Sequence, residues 1–285
     1  MGVVHVLANP AAGGGGDRAA VIEQIVLSGR TVVDLTGESP EQSLAAVRAA
    51  APERLVVVGG DGLIHLALQA TAGTPTVLGL VPQGTGNDFA RALGLLDRPL
   101  DATVTAALTD GVAVDGLWSN HGWVASVATV GFAGDVTERA NRMSWPKGQS
   151  VYTVATLLQI PRLRTLSLRL TVDGMAHDVE TVMLSIGNTA YFGGGMKICP
   201  GAHPADHQCE IAIIGAVSRL TLLRVFPKVF DGGHVNHPTV TMLRGNTVSV
   251  EGADAQVWAD GDPLGPLPAQ FEVRPGAIRI AGART

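Results

Sequence analysis

Two glycine-rich stretches constrain this chain more than anything else in it: Gly59-Gly60-Asp61-Gly62 and Pro82-Gln83-Gly84-Thr85-Gly86-Asn87-Asp88-Phe89. An apolar run of β type precedes each (Leu55 to Val58; Val77 to Val81), and a helix-type run follows each. A strand, a glycine turn and a helix start together expose backbone N–H groups that can hold phosphate. Two such turns, flanked by Asp61 and Asp88, point to a nucleoside triphosphate site rather than a single tight bend.

The surrounding pattern predicts a parallel sheet. Val3–Ala8, Thr31–Leu35, Leu55–Val58 and Val77–Val81 read as strands. Arg18–Leu27, Leu44–Ala51, Leu63–Thr71 and Asp88–Leu93 read as helices. Ser39-Pro40-Glu41-Gln42 supplies an N-cap, a proline at N1 and a glutamine at N3. Repeated βα units with continuously apolar strands are those of a sheet covered on both faces. A third turn, Asn9 to Gly16, follows the first strand, so all three lie at carboxyl strand ends, where open α/β sheets bind ligands. This first turn is not a Walker A loop, because no Gly-Lys-Ser/Thr follows it. It reads equally as an anion cradle, with Arg18 the nearest cation, and as a surface loop.

After about residue 110 the rhythm changes to short strands separated by turns such as Asp173-Gly174, Gly245-Asn246 and Asp260-Gly261. Those strands include Val112–Leu117, Trp123–Val130, Leu166–Val172, Asp178–Ile186, Glu210–Ile214 and Ile278–Ala281. This is the rhythm of an antiparallel sandwich, interrupted by helical runs at Ser150–Ile160 and Ser218–Phe230, the latter disturbed by Pro227. The expected architecture is α/β plus all-β: a Rossmann-like nucleotide domain over residues 1–115 and a β-sandwich over 116–285, with a cleft between them. The last residues are candidates to return to the first domain.

Composition excludes several classes. The chain has 285 residues, a net charge of −5 and no basic block, which argues against nucleic acid as a partner. Cys199 and Cys209 have no metal-ligand spacing and read as reduced, structural thiols. His203, His207, His234 and His237 lie among loops and prolines, an arrangement that argues against zinc. No signal peptide is expected at the start, and no apolar run reaches the ~18 residues of a membrane span. A lipid substrate would therefore be met at the membrane surface.

Individually the motifs leave alternatives open. Asp61 can hold Mg²⁺ through water or cap the helix that follows it. Thr85 can donate to a phosphate oxygen, and Asn87 and Asp88 can cap a helix while facing a ligand. Asp260-Gly261-Asp262 by itself reads as a hairpin turn. Lys197, after three glycines, can reach a phosphate or sit solvated on its loop. Leu220, Leu223, Phe226 and Phe230 form a stripe at helical spacing that could face acyl chains or a bilayer but reads first as core.

Taken in order, the motifs resemble those of the diacylglycerol kinase catalytic family, which is related to sphingosine and ceramide kinases. The resemblance rests on Asn9-Pro10-x-x-Gly13, Gly59-Gly60-Asp61-Gly62, and Pro82-x-Gly84-Thr85-Gly86-Asn87-Asp88-Phe89-Ala90-Arg91. It continues through Thr129 to Gly134, Asn188, Phe192-Gly193-Gly194-Gly195, Pro200-x-Ala202 and Asp260-Gly261-Asp262. It implies an ATP–Mg²⁺ site built from Asn9, Pro10, Gly13, Arg18, Thr36, Gly59, Gly60, Asp61, Gly62, Leu63, His65, Gly84, Thr85, Gly86 and Asn87. It implies Asp260 as general base, with Asp61 the competing assignment, and Asp61, Asp88, Asp115 and Asp262 as carboxylates organising an Mg²⁺–water network. It also implies a structural Mg²⁺ on the side chain of Asp206 and the backbone carbonyls of His203 and Gln208.

The expected activity is transfer of the γ-phosphoryl group of ATP to a lipid hydroxyl, diacylglycerol first. The alternatives are a sphingoid base, a glycolipid or a soluble polyol as acceptor, or a nucleotide- or lipid-binding protein that has lost catalysis. The expected setting is cytoplasmic, with peripheral attachment to a membrane, and edge strands offer a route to a homodimer. The chain departs from the family pattern at Gly14, at Leu63, at His65-Leu66 (commonly Asn-Glu) and at His207 (commonly Gly).

Overall fold

The computed structural model describes residues 2–9, 16–146, 150–252 and 254–284. The first half alternates β1 (Val3–Ala8), α1 (Gly16–Leu27), β2 (Thr31–Asp34), α2 (Pro40–Ala50), β3 (Arg54–Gly59), α3 (Asp61–Thr71), β4 (Val77–Pro82), α4 (Asp88–Ala92) and α5 (Leu100–Ala107). Strands β2, β1, β3 and β4 lie side by side in that order, all parallel. Both faces are covered, as continuous apolar strands require. Val56 and Val58 pack with Val21 and Ile25 of α1 and Val104 of α5. Leu55 and Val57 turn the other way, onto Val47 of α2 and Ile64 and Leu68 of α3. The strand order reverses between β1 and β3, so the crevice for a ligand opens at their carboxyl ends.

The second half is predominantly antiparallel: β5 (Gly111–Ser119), β6 (Gly122–Val124), β7 (Val127–Gly131), β8 (Leu166–Val172), β9 (Met175–Gly187), β10 (Cys209–Gly215), β11 (Val240–Gly245), β12 (Thr247–Gly252), β13 (Gln256–Ala259), β14 (Asp262–Pro266) and β15 (Ala269–Ala281). Helices α6 (Phe132–Asn141), α7 (Ser150–Gln159) and α8 (Arg219–Val225) pack on one side. Between the layers, Leu168, Leu170, Leu184, Ile186, Val250, Val257 and Phe271 form a fully buried core.

Strand β15 belongs to both halves. Residues 271–274 pair with Ser119 to Gly116 of β5, while residues 269–272 pair with β12 on the other side. Beyond an irregularity at Arg274–Ile278, Arg279 and Ile280 lie parallel to Val77 and Leu78 of β4. No helix among the described residues is long and apolar enough to cross a membrane.

The structure differs from the sequence expectation in several elements. Trp123–Val130 is two short strands, not one, because the N–H groups of Ala125 and Ser126 leave the ladder for a side chain. Helices α5 and α6 were not anticipated. Ser218–Phe230 divides into α8, capped by Ser218, and a 3-10 turn at Phe226–Val229 that accommodates Pro227.

Candidate active site

The two glycine turns touch each other through their backbones. A Cβ on Gly60 would lie 2.8 Å from the Cα of Gly84, so only glycine allows the approach. The second turn is closed by Asn87, which holds left-handed backbone (φ 52°). Its Oδ1 accepts from Gly84 N at 2.9 Å, and its Nδ2 donates to Gly84 O at 2.7 Å. Leu63 packs toward the core, with its Cδ2 2.8 Å from where a Gly59 Cβ would be. That explains why the position tolerates an apolar residue.

Asp61 opens α3 but does not cap it. Its Oδ1 instead accepts the N–H of Phe89 at 3.2 Å, at the start of α4, and so ties the two turns together. Asp88 reaches across to the second half. Gly193, Gly194 and Gly195 all have positive φ (60°, 86° and 101°), a turn that aims successive N–H groups inward. Gly194 N donates to Asp88 Oδ2 at 2.8 Å and Gly195 N to Oδ1 at 2.7 Å.

Asp260 sits in the tight β13–β14 turn, left-handed at φ 54° and followed by Gly261 at φ 100°. Its side chain is inaccessible to solvent and accepts three N–H groups. Ser126 N reaches Oδ1 at 2.8 Å; Ala125 N at 2.8 Å and His65 Nδ1 at 2.9 Å reach Oδ2. The hairpin and the buried carboxylate are thus one feature. Asp262, two residues on, lies against Gly62, 3.4 Å from where its Cβ would be.

Burial raises the proton affinity of Asp61, Asp88 and Asp262, and neighbouring carboxylates add to it. Burial, then the Asp88 charge and more weakly that of Asp260, push Asp61 up to about 6 against the opposing N–H bonds of Phe89 and Asp88. Burial likewise raises Asp88, which the Gly194 and Gly195 N–H groups and Arg91 hold back. Burial and Asp260 raise Asp262, with His65 opposing. Burial disfavours the His65 imidazolium, but the hydrogen bond and charge of Asp260, with Asp262, outweigh it and raise its pKa.

A cleft of about 400 Å³ brings together Asp61, Gly62, Thr85, Gly86, Asp88, Asp260 and Asp262 with Ser126, Thr129, Asn141 and Trp258. An apolar pocket adjoins it, lined by side chains including Phe132, Met183, Met196, Leu222 and Phe226. Thr137, Tyr152, Phe192 and Gly193 border both spaces. Tyr152 is the divider: burial and the charges of Asp61, Asp88 and Asp262 raise its pKa, so its hydroxyl stays protonated beside them. Ser126, Asn141 and Tyr152 were not anticipated, and Thr129 was visible only as the start of the Thr129–Gly134 segment. Arg91, which lies over the Tyr191 ring, was visible only as the end of the Asn-Asp-Phe-Ala-Arg run.

Other expected residues lie elsewhere. Asp115 is buried outside this cleft. Its carboxylate takes His207 N at 2.8 Å, His207 Nδ1 at 3.1 Å and Gly276 N at 3.1 Å. His65 faces Asp260 rather than the phosphate turns. Thr36 Oγ1 accepts from Ala8 N at 2.9 Å, beside Asn9 at the end of β1, and Arg18 is ion-paired to Asp34. Lys197 lies 6.0 Å from the Tyr191 ring centre. Pro10 and Gly13 lie outside the described residues.

The two metal expectations fare differently. At the outer loop, Asp206 is ion-paired to the Arg244 guanidinium and accepts Gln208 N at 3.1 Å, while the His203 carbonyl already accepts both Ala205 N at 2.8 Å and Asp206 N at 3.3 Å. A carboxylate neutralised by arginine and a carbonyl already occupied do not fit a divalent cation. In the cleft, Asp61, Asp88 and Asp262 are hard oxygen donors whose mutual repulsion favours one. Among the described residues no three metal-ligating side chains converge on a single point, so a cation here would need water or phosphate oxygens to complete its shell.

Comparison with known proteins agrees with this architecture. The diacylglycerol kinase catalytic domain family matches residues 3–117, and the YegS C-terminal NAD kinase beta sandwich-like domain family matches residues 125–282. A diacylglycerol kinase of Mycobacterium tuberculosis (strain ATCC 25618 / H37Rv) is 38% identical over 297 residues, covering 100% of this chain and 96% of the relative. A diacylglycerol kinase of Bacillus subtilis (strain 168) is 28% identical over 226 residues, 76% of this chain and 73% of the relative. The crystal structure of a diacylglycerol kinase from Bacillus anthracis superimposes with a TM-score of 0.73 at 18% identity, covering 98% of this chain and 96% of that one. Fold, site and relatives together define a kinase that phosphorylates an alcohol. The chain belongs to the diacylglycerol kinase family.

Proposed function

We propose that this chain transfers the γ-phosphoryl group of ATP to the hydroxyl of a membrane lipid, with diacylglycerol as the acceptor. The observation that carries the reading is the shared wall of the two cavities. A carboxylate-lined cleft meets an apolar pocket at Tyr152, Phe192 and Gly193, as an acceptor with a polar hydroxyl end and long acyl chains requires.

In this reading the backbone N–H groups of the glycine turns and the Thr85 hydroxyl bind the phosphates, and Asp260 accepts the proton of the acceptor hydroxyl. A primary alcohol is a weak nucleophile, so its proton must leave as the new P–O bond forms and the bond to the ADP oxygen breaks. Asp61, Asp88 and Asp262 would hold Mg²⁺ through water. When bound, that ion neutralises charge on the phosphoryl oxygens. The division of labour is between a nucleotide lobe up to about residue 115 and an acceptor lobe beyond it, with β15 shared.

Access to the lipid is through the α8 side. Residues 216–230 carry Arg219, Arg224 and Lys228 with no acidic residue, and Leu220, Leu223 and Phe230 are exposed there. The inner face of the same segment (Thr221, Leu222, Val225, Phe226) lines the apolar pocket. Mixed basic and apolar exposure is what an anionic bilayer surface selects.

The test is incubation with labelled ATP, Mg²⁺ and diacylglycerol in mixed micelles, with mass spectrometry of the lipids. The expected product is phosphatidic acid. Tight ATP binding without a phosphorylated lipid from any acceptor tried would overturn the reading.

A further inference from the structure

His65 is a titratable residue in the first turns of α3 that does not line the cleft, yet it is hydrogen-bonded to the group assigned as the base. Its surroundings fix how it is protonated at one nitrogen. One turn along α3, the Gln69 side chain clasps the backbone of Trp123 at two points. Oε1 accepts Trp123 N at 2.9 Å, and Nε2 donates to Trp123 O at 2.8 Å. A backbone N–H can only donate and a backbone C=O can only accept, so the orientation of the amide is settled. The Nε2 amide group therefore faces the imidazole: one of its two protons goes to Trp123 O, and the other is shared between His65 O at 3.2 Å and His65 Nε2 at 3.3 Å. A donor against Nε2 disfavours a tautomer with its only proton on Nε2. The facing carboxylate Oδ2 of Asp260 disfavours a bare lone pair on Nδ1. Both constraints leave a proton on Nδ1, whether the ring is neutral or cationic.

That proton has a consequence at Asp260. A carboxylate oxygen offers about two acceptor sites. Oδ2 has both filled, by His65 Nδ1 and Ala125 N, whereas among the described residues Oδ1 holds only Ser126 N. The unfilled acceptor site is therefore on Oδ1, closed to solvent in this structure. Ser126, whose own hydroxyl is buried and has no partner among the described residues, lies on the cleft wall beside it.

We propose that His65 and Gln69 are a positioning pair for Asp260: Gln69 keeps the Nδ1 proton of His65 on Oδ2, and this leaves Oδ1 as the atom that takes the proton of the acceptor. The proposal rests on the phosphotransfer reading for its catalytic half and on geometry alone for the tautomer. The Nδ1 of histidine and the Nδ2 of asparagine stand the same number of bonds from Cα, so an asparagine at this position can donate the same hydrogen bond.

The test uses the full-length protein. A long-range ¹H–¹⁵N spectrum of the imidazoles in the wild type should show His65 protonated at Nδ1, and Gln69→Leu should admit the other tautomer. In the phosphatidic acid assay, His65→Leu should lower kcat by ~10-fold or more, with KM for ATP changed by less than about twofold. His65→Asn should restore most of the lost kcat, while Gln69→Leu should fall between the two. Wild-type kcat in His65→Leu, or an Nε2-only proton in the wild-type spectrum, overturns the proposal. A wild type that phosphorylates no lipid but shows the Nδ1 proton sinks the kinase reading and leaves the pairing supported. Thermal unfolding of each variant separates a folding defect from a positioning one.

Discussion

Gly60 and Gly84 lie back to back at the carboxyl ends of β3 and β4, with no room between them for a side chain: a Cβ on Gly60 would stand 2.8 Å from the Cα of Gly84. The phosphate turns are therefore one unit. Gly84→Ala should force them apart, raising KM for ATP by ~10-fold or more and destabilising the fold by about 1–3 kcal/mol. Thermal unfolding and ATP kinetics check this. A variant normal in both would mean the turns are independent.

Asp88 ties the halves together through Gly194 and Gly195. Asp88→Asn keeps one acceptor but sets an NH₂ group against one of these donors. A loss of stability of about 1–3 kcal/mol and loss of turnover are expected. Loss of turnover with full stability would restrict Asp88 to the Mg²⁺–water network.

Asp260→Asn should leave ATP binding near normal and cut turnover by ~10²-fold or more, the scale of a lost general base. Calorimetric titration with ATP and single-turnover kinetics read the two halves. Unchanged turnover would move the base assignment to Asp61.

For Asp61 the folded pKa, about 6, lies above its ordinary value of 3.8. The folded state thus binds this proton more tightly than the unfolded chain does. That contribution is fully present below 3.8 and lost as pH rises through about 6. In the absence of Mg²⁺ and nucleotide, the difference in unfolding temperature between wild type and Asp61→Asn should shift in favour of wild type between pH 7 and pH 5. A pH-independent difference would show that Asp61 is not held in this state.

Leu220 and Leu223 are exposed beside Arg219 and Arg224. Replacing both leucines with aspartate should lower binding to anionic vesicles by ~10-fold or more, with turnover on a short-chain, micelle-free acceptor retained. Sedimentation with vesicles measures the first. Unchanged sedimentation would exclude this face.

Local chemistry made much of this molecule legible. The parallel sheet was written in uninterrupted runs such as Leu55–Val58, and the glycine turns in residues that only a close backbone approach explains. What was hidden depends on partners distant in sequence. His65 and Asp260 are separated by most of the chain, and no period or motif links them. Trp123–Val130 has an apolar pattern good enough for one strand, and it divides only because Asp260 takes two of its N–H groups. Helix α6 begins directly after a segment of strand character, where Gly131 turns the chain at φ 88°. Arg244 on Asp206 belongs to β11, far from the loop that it neutralises.

Strand β15 sets an order of events for the growing polypeptide. The parallel sheet formed from residues 3–82 keeps an open edge at β4 until residues near 280 arrive to cover it. Ribosomal synthesis must therefore carry a nucleotide-binding half with an uncapped β4 flank through the making of nearly the whole chain. Cutting the gene between the halves should yield a first fragment prone to self-association and a second with an orphan strand, which recover only when co-expressed.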